Sequence, residues 1–375
     1  MLYLTESTTC NILLIGKTGT GKSSFANYLF DTDIFTTGSG EPVTGWKDNF
    51  QYHHFYISDI VINVFDSVGL ETNNFIRWTN ELDTFLSERQ PNKQGNIKSA
   101  NDIIHTLFYV VNGAGTRVEE TEIDILKNIY QKYSLSASVI ITNCDIAKEH
   151  ELTAIESILK RHGLSSFRVC SISKKTRGGD KIEPFGKDPA IRQILSASYE
   201  KVGKELTLSI LKQIIVFINE TRNKAKALIE ASDISLFNLD AIDDIDWDDV
   251  LNNDFDYDNF IPDEYKNYYN FLENFNVSYQ GHDIMSETFN RINDVIDKLD
   301  ITDINIGRKM TEAENNLENG DLFEQIGAFF QVAKIALRLK KALKDAIDEV
   351  FDLAVRELQQ QIRKVKSASD CSGAI

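Results

Sequence analysis

Proline is scarce, with five in 375 residues and none after Pro262. The C-terminal third therefore holds nothing to interrupt long helices. The four cysteines, Cys10, Cys144, Cys170 and Cys371, are isolated and show no CxxC spacing. That excludes a disulfide framework and fits a reducing compartment. The tail CSGAI sets Cys371 one residue too far from the end for a prenylation box. No apolar run reaches the roughly 18 residues a spanning helix needs. The start MLYLTESTTC lacks the basic opening and apolar core of a secretory signal. A cytoplasmic protein of two or three domains is the expectation.

Basic residues are also short, 40 Lys+Arg against 57 Asp+Glu for a formal charge of −17. The shortage is local. No Lys or Arg stands between Lys226 and Lys266, and 13 carboxylates from Glu230 to Glu264 fill that gap, leaving 44 acidic against 40 basic residues elsewhere. Such a balance argues against a chain whose whole surface binds nucleic acid or anionic lipid, since both need a positive field. No nucleic-acid partner is expected.

What the chain does have, over its first 200 residues, is an alternation of short apolar runs with helical patterns. Asn11–Ile15, Ile60–Phe65, Ile103–Val111, Ala137–Thr142 and Phe167–Ser171 are short and rich in β-branched or aromatic residues, the signature of buried parallel strands. Ser23–Phe30, Glu119–Tyr133 and Thr153–His162 read as helices between them, and residues 47–57 as an antiparallel edge strand. Beyond about Pro189 the strands stop. Residues 190–231 read as one long helix or two in tandem, and 321–366 as a long amphipathic helix. The expected architecture is α/β, a mostly parallel sheet over residues 1–195, followed by an all-helical region over 196–375 that contains the acidic, aromatic-rich strip 230–264.

Gly16-Lys17-Thr18-Gly19-Thr20-Gly21-Lys22-Ser23 matches GxxxxGK[ST], with an apolar strand before it and a helix after it. Backbone N–H groups of such a loop curl around phosphate oxygens, and the following helix N-terminus, including Ser24, adds partial positive charge. Lys22 is placed to reach β- and γ-phosphates and Ser23 to put its hydroxyl on Mg²⁺. Asp66-Ser67-Val68-Gly69 closes the next apolar strand. There Asp66 can hold Mg²⁺ through water and Gly69 can offer its N–H to a γ-phosphate. Thr142-Asn143-Cys144-Asp145 closes another. A carboxylate at Asp145 takes two hydrogen bonds from N1–H and N2–H₂ of guanine, donors that adenine lacks, while a helix N-cap is the alternative role for that aspartate. Cys170-Ser171-Ile172-Ser173 ends the last strand, where backbone near Ser171 can touch guanine O6.

In order and spacing these motifs resemble G1, G3, G4 and G5 of P-loop GTPases of the translation-factor-related class. Residues 38–44 (GSGEPVT) are similar to switch I of Era/TrmE-like (HSR1-type) members. The phosphate loop, and a G domain followed by helices, also resemble immunity-related and dynamin-like GTPases. The resemblance covers about residues 10–195. It implies GTP/GDP and Mg²⁺ as ligands, with Thr44 closing over the metal and the γ-phosphate, and Thr36 and Thr37 as competitors for that role. Two departures stand out. Asn143 replaces the usual base-stacking lysine of G4, which leaves specificity mainly to Asp145. Leu70 follows the G3 glycine where Ras-like enzymes carry a water-positioning glutamine. Hydrolysis is therefore expected to be slow and open to acceleration by a partner, a second protomer or an arginine such as Arg77 or Arg117.

The strip 230–264 contains Asp254, Asp256 and Asp258 at calcium-loop spacing, but Asn259 and Tyr265 stand where such a loop needs Gly and Glu. Docking of this strip on a basic surface, in this chain on the Lys334–Lys344 face or in a partner, is one expectation, and a solvated linker is the other. A homodimer through the G domain and a protein partner for the helical region are expected, with peripheral membrane contact ranked behind them. A nucleotide-holding scaffold without turnover, and a P-loop ATPase or kinase, are the alternative functions.

Overall fold

The run TCNILLI has too few polar side chains to leave either face in water, and Thr9–Ile15 becomes an interior strand, β1, with Ile12 to Ile15 fully buried. The computed structural model describes residues 8–35, 50–57, 60–91, 98–114, 117–172, 174–175, 181–233, 260–274, 290 and 322–367. Thr36, Thr37, Thr44, Ser173, Cys371, residues 234–259 of the acidic strip and the side chains of Lys334 and Arg338 lie outside them.

In the first unit, the chain alternates α1 (Lys22–Leu29), β2 (Phe50–Ile57), β3 (Ile60–Ser67), α2 (Phe75–Glu88), β4 (Thr106–Asn112), α3 (Glu120–Tyr133), β5 (Ala137–Thr142), α4 (Glu149–Arg161) and β6 (Ser165–Arg168). A two-stranded hairpin of β7 (Lys174–Lys175) and β8 (Lys181–Ile182) precedes the 45-residue α5 (Lys187–Ala231). The six-stranded sheet runs β2-β3-β1-β4-β5-β6, and only β2 is antiparallel. Side chains alternate across it. Leu13, Ile15, Leu107, Tyr109, Val111, Val139 and Ile141 share one apolar cluster with α2, α3 and α4. Toward the other face Phe25 of α1 meets Phe108 edge-on at 6.0 Å. This is the strand order and loop placement of a P-loop GTPase (G) domain, and from Lys187 on the described elements are helical.

Several expected boundaries move for local reasons. The helix expected from Thr153 begins at Glu149, because Glu151 accepts the Lys148 N–H at 2.9 Å and caps four residues earlier. The last sheet strand, expected at Phe167–Ser171, is Ser165–Arg168. Val169 N–H still bonds Ile141 O at 2.8 Å, but Cys170 then turns to pair with Phe185 through bonds of 3.1 and 3.0 Å.

A short helix from beyond the acidic strip belongs to the first unit. In α6 (Lys266–Asn274), Asn267 accepts the Ala100 N–H at 2.8 Å, Tyr268 donates to Lys98 O at 3.0 Å, and Phe271 stacks on His105 at 5.2 Å. His105 is fully buried, and its Nδ1 accepts the Asn11 N–H at 2.8 Å. Burial disfavours the imidazolium and, against smaller opposing hydrogen bonds, lowers the pKa from 6.5 to about 3. The unfolded chain therefore binds a proton across this window that the folded chain does not, and stability falls as pH drops from 6.5 toward 3, by up to about 1.4 kcal/mol per unit. In urea titrations at pH 7.5 and 5, His105→Asn is expected to shrink the stability difference between the two pH values by about 2 kcal/mol. An unchanged difference would contradict the assignment.

The second unit pairs the C-terminal part of α5 with α7 (Leu322–Ser367). Arg222 meets Asp352 at 2.7 Å, Lys226 meets Asp348 at 2.6 Å, and Glu230 meets Lys344. Partners descend along α7 as α5 ascends, so the helices are antiparallel. Ile218, Ala225, Ile229, Leu343, Ile347 and Phe351 are buried in this unit. Lys340 also donates to Glu230 O at 3.0 Å and Ser232 O at 2.7 Å. The first carboxylate of the acidic strip thus sits against Lys340 and Lys344, near the middle of α7. Among the described residues, no helix is long and apolar enough to cross a membrane.

Candidate functional site

Parallel strands deliver their C-terminal ends to one edge of the sheet, and three of the sequence motifs meet there. Gly16 leaves β1 with φ 149°, and a Cβ on it would stand 2.4 Å from Val110 O, so this loop can lie against β4 only with glycine at its base. Lys22 opens α1 and is buried. Its ammonium donates back to Gly16 O at 3.2 Å and Lys17 O at 3.1 Å, spanning the loop it closes. Ser24, one residue after Ser23, is half-buried in the same helical turn.

β3 carries Asp66 to this loop. Its carboxylate accepts the Ser23 hydroxyl at 2.8 Å, and the side chain has no exposure to solvent. Burial pushes the Asp66 carboxyl up and the Lys22 ammonium down, and each charge partly offsets the shift of the other. Asp66 Oδ1 is buried without a hydrogen-bond partner. An oxygen so placed beside a serine hydroxyl fits Mg²⁺, which takes one or two protein oxygens and completes its shell with water and phosphate. Among the described residues no three His, Cys, Asp or Glu side chains gather as a metal cage.

The segment after Asp66 is sewn to the loop. Leu70 N–H bonds Gly16 O at 3.0 Å, and Thr18 N–H bonds Leu70 O at 3.4 Å. A Cβ on Gly69 would fall 2.3 to 2.7 Å from Thr18 atoms, so any larger residue would push the two segments apart. Lys17 reaches the other way, to Glu119 at 2.9 Å and the buried Glu122 at 3.3 Å. Burial alone would lower the Lys17 ammonium, but these two carboxylates outweigh it and raise it. Tyr109 donates to Glu122 at 2.5 Å and completes the tie between loop, β4 and α3.

β5 supplies the third motif. Thr142 donates to Thr20 O at 2.6 Å, fixing the end of β5 to the phosphate loop. Asn143 takes φ 55°, a left-handed conformation that asparagine tolerates, and its carbonyl accepts N–H bonds from Ile146 and Ala147 at 3.2 and 3.1 Å. Its side chain donates to Asn112 at the end of β4 at 3.0 Å. The turn so built holds Asp145 half-buried, and Ser171 lies half-buried after β6.

The structure therefore brings Gly16 to Ser23, Asp66, Gly69 and Thr142 together through direct contacts and builds the turn that holds Asp145. Arg77 pairs with Glu81 at 2.8 Å, and Arg117 is exposed. Asn112, Glu122 and Glu71 were not singled out by motif. Only Glu122 had a local signal, the Glu-x-x-Glu spacing of a capping box with Glu119. A cavity of ≈ 960 Å³ lined by Asn11, Tyr52, Phe65, Phe85, Arg89 and Asn101, among others, shares no residue with the phosphate loop.

No protein-family model matches the chain, and no curated protein matches it. Solved structures do. Toc33 from Arabidopsis thaliana in complex with Mg²⁺ and GMPPNP is 16% identical, covering 51% of this chain and 85% of that one, with a TM-score of 0.36. The G domain of the T. maritima FeoB iron transporter is 16% identical, covering 51% and 99%, at 0.31. Elongation factor SelB from Methanococcus maripaludis, in complex with the GTP analogue GppNHp, is 17% identical, covering 50% and 33%, at 0.33. Strand order and loop geometry in this chain, rather than these scores, define its fold.

Proposed function

We propose that this chain is a Mg²⁺-dependent guanine-nucleotide-binding protein that hydrolyses GTP slowly and acts as a switch or assembly-coupled GTPase. The observation that carries the reading is convergence. A loop with a buried lysine, a buried carboxylate hydrogen-bonded to the loop serine, and a strand end bonded to the loop and leading to Asp145 come from segments up to 122 residues apart. Lys22 and the loop N–H groups would hold the β- and γ-phosphates, Ser23 and Asp66 the Mg²⁺, and Asp145 the guanine, with Thr44 closing switch I. Bound Mg²⁺ would neutralise developing phosphate charge. In this reading residues 1–195 form the G domain in a cytoplasmic protein, and the helical region from about residue 196 contacts a protein partner.

The alternative reading is a nucleotide-holding scaffold without turnover: Leu70 is buried and apolar, so another group must orient the attacking water, and without one the site would hold GTP and not hydrolyse it. Phosphate release with purified protein separates the two. The first reading expects turnover whose specific rate rises with protein concentration where G domains pair. A stoichiometric GTP complex that releases no phosphate at any concentration would leave the scaffold.

A further inference from the structure

Leu70 cannot orient water. It is 6% exposed, its backbone is bonded to the phosphate loop on both sides, and its side chain packs in the cluster that includes Ile15 and Trp78. The next residue has the opposite character. Glu71 is half-buried, and its carboxylate is held at two points, accepting from Thr18 Oγ1 at 3.1 Å and from Asn74 Nδ2 at 3.4 Å. Thr18 is itself a phosphate-loop residue, and its backbone and hydroxyl lie against Gly69. A carboxylate held by the phosphate loop, two residues after the glycine that approaches that loop, has the position and the free lone pairs to accept a hydrogen bond from water.

We propose that Glu71 orients the attacking water in GTP hydrolysis and that Thr18 is the positioning residue that aims its carboxylate. This rests on the GTPase reading above. The water oxygen forms a bond to the γ-phosphorus. The bond from that phosphorus to the β,γ-bridging oxygen breaks, and its electron pair stays on GDP. The proton lost by the water passes to an oxygen of the released phosphate. Glu71 supplies orientation, not a permanent proton acceptor, so an uncharged acceptor of the same shape should serve.

Single-turnover hydrolysis and GTP equilibrium binding, measured side by side, test this. Glu71→Ala should lower the rate about 100-fold, the cost of misplacing a reactant, with GTP affinity within about threefold of wild type. Glu71→Gln should stay within about tenfold of the wild-type rate, Thr18→Val should lose about tenfold, and Thr18→Ser should restore it. A Glu71→Ala rate within threefold of wild type would overturn the role, as would a loss of affinity equal to the loss of rate, which marks a structural contact. Wild-type protein that binds GTP and never releases phosphate removes the GTPase reading and this role together, whereas wild-type turnover that ignores Glu71 removes the role alone.

Discussion

Lys22→Ala is expected to weaken GTP and GDP binding by about 100-fold or more. Hydrogen bonds to charged groups contribute about 1.5–3 kcal/mol each, and Lys22 is placed to make contacts to two phosphates. The ammonium is almost fully buried, so solvent would not screen those contacts. In the structure it bonds the carbonyls of Gly16 and Lys17, a geometry that holds it across the mouth of the loop. The fold should survive the substitution, because burial already penalises this charge and lowers its pKa. Lys22→Met, which keeps the aliphatic stem, should bind as poorly and melt closer to wild type. Calorimetric titration of Mg²⁺–GDP checks this, and an affinity within threefold of wild type would remove Lys22 from the phosphate site.

The second large effect is a change of base. Asp145→Asn should cost GTP about 100-fold in affinity while raising that of XTP, because xanthine presents a carbonyl at C2 where guanine presents an amino group. The amide of asparagine can donate to that carbonyl, and a carboxylate cannot. The turn that holds this residue is built by the Asn143 and Thr142 bonds, none of which uses the Asp145 side chain in the contacts described above. Competition of GTP, XTP and ATP for the same protein reads it out. Equal loss for all three would mean that the turn had collapsed, and no change would mean that the base lies elsewhere.

Much of this was legible in the sequence because the signals were local. The strand Ala137–Thr142 and the phosphate loop could be placed from apolar runs and glycine spacing alone. The α2 helix was also written locally, with Trp78, Leu82, Phe85 and Leu86 at helical spacing, though it was not among the helices expected. What sequence could not show was pairing across distance. Asn267 meets Ala100, and Phe271 meets His105, across more than 160 positions, and no periodicity marks either residue as part of the G domain. Glu71 was hidden for a similar reason. A glutamate after Leu70 reads as a surface charge until Thr18, 53 residues earlier, is seen to donate to it.

The acidic segment was legible as composition only. Its first carboxylate, Glu230, still within α5, meets Lys344, while residues 234–259 lie outside the described residues.

Guanine-nucleotide binding at the loop that ends in Lys22 and Ser23 is the central claim, and equilibrium competition between GTP and ATP for the Mg²⁺-supplemented protein tests it most directly. The account predicts saturable GTP binding at one site per chain, displaced by GDP and not by a 100-fold excess of ATP, consistent with about 3 kcal/mol or more of base discrimination. ATP that competes equally with GTP, or no nucleotide bound at all, would contradict it.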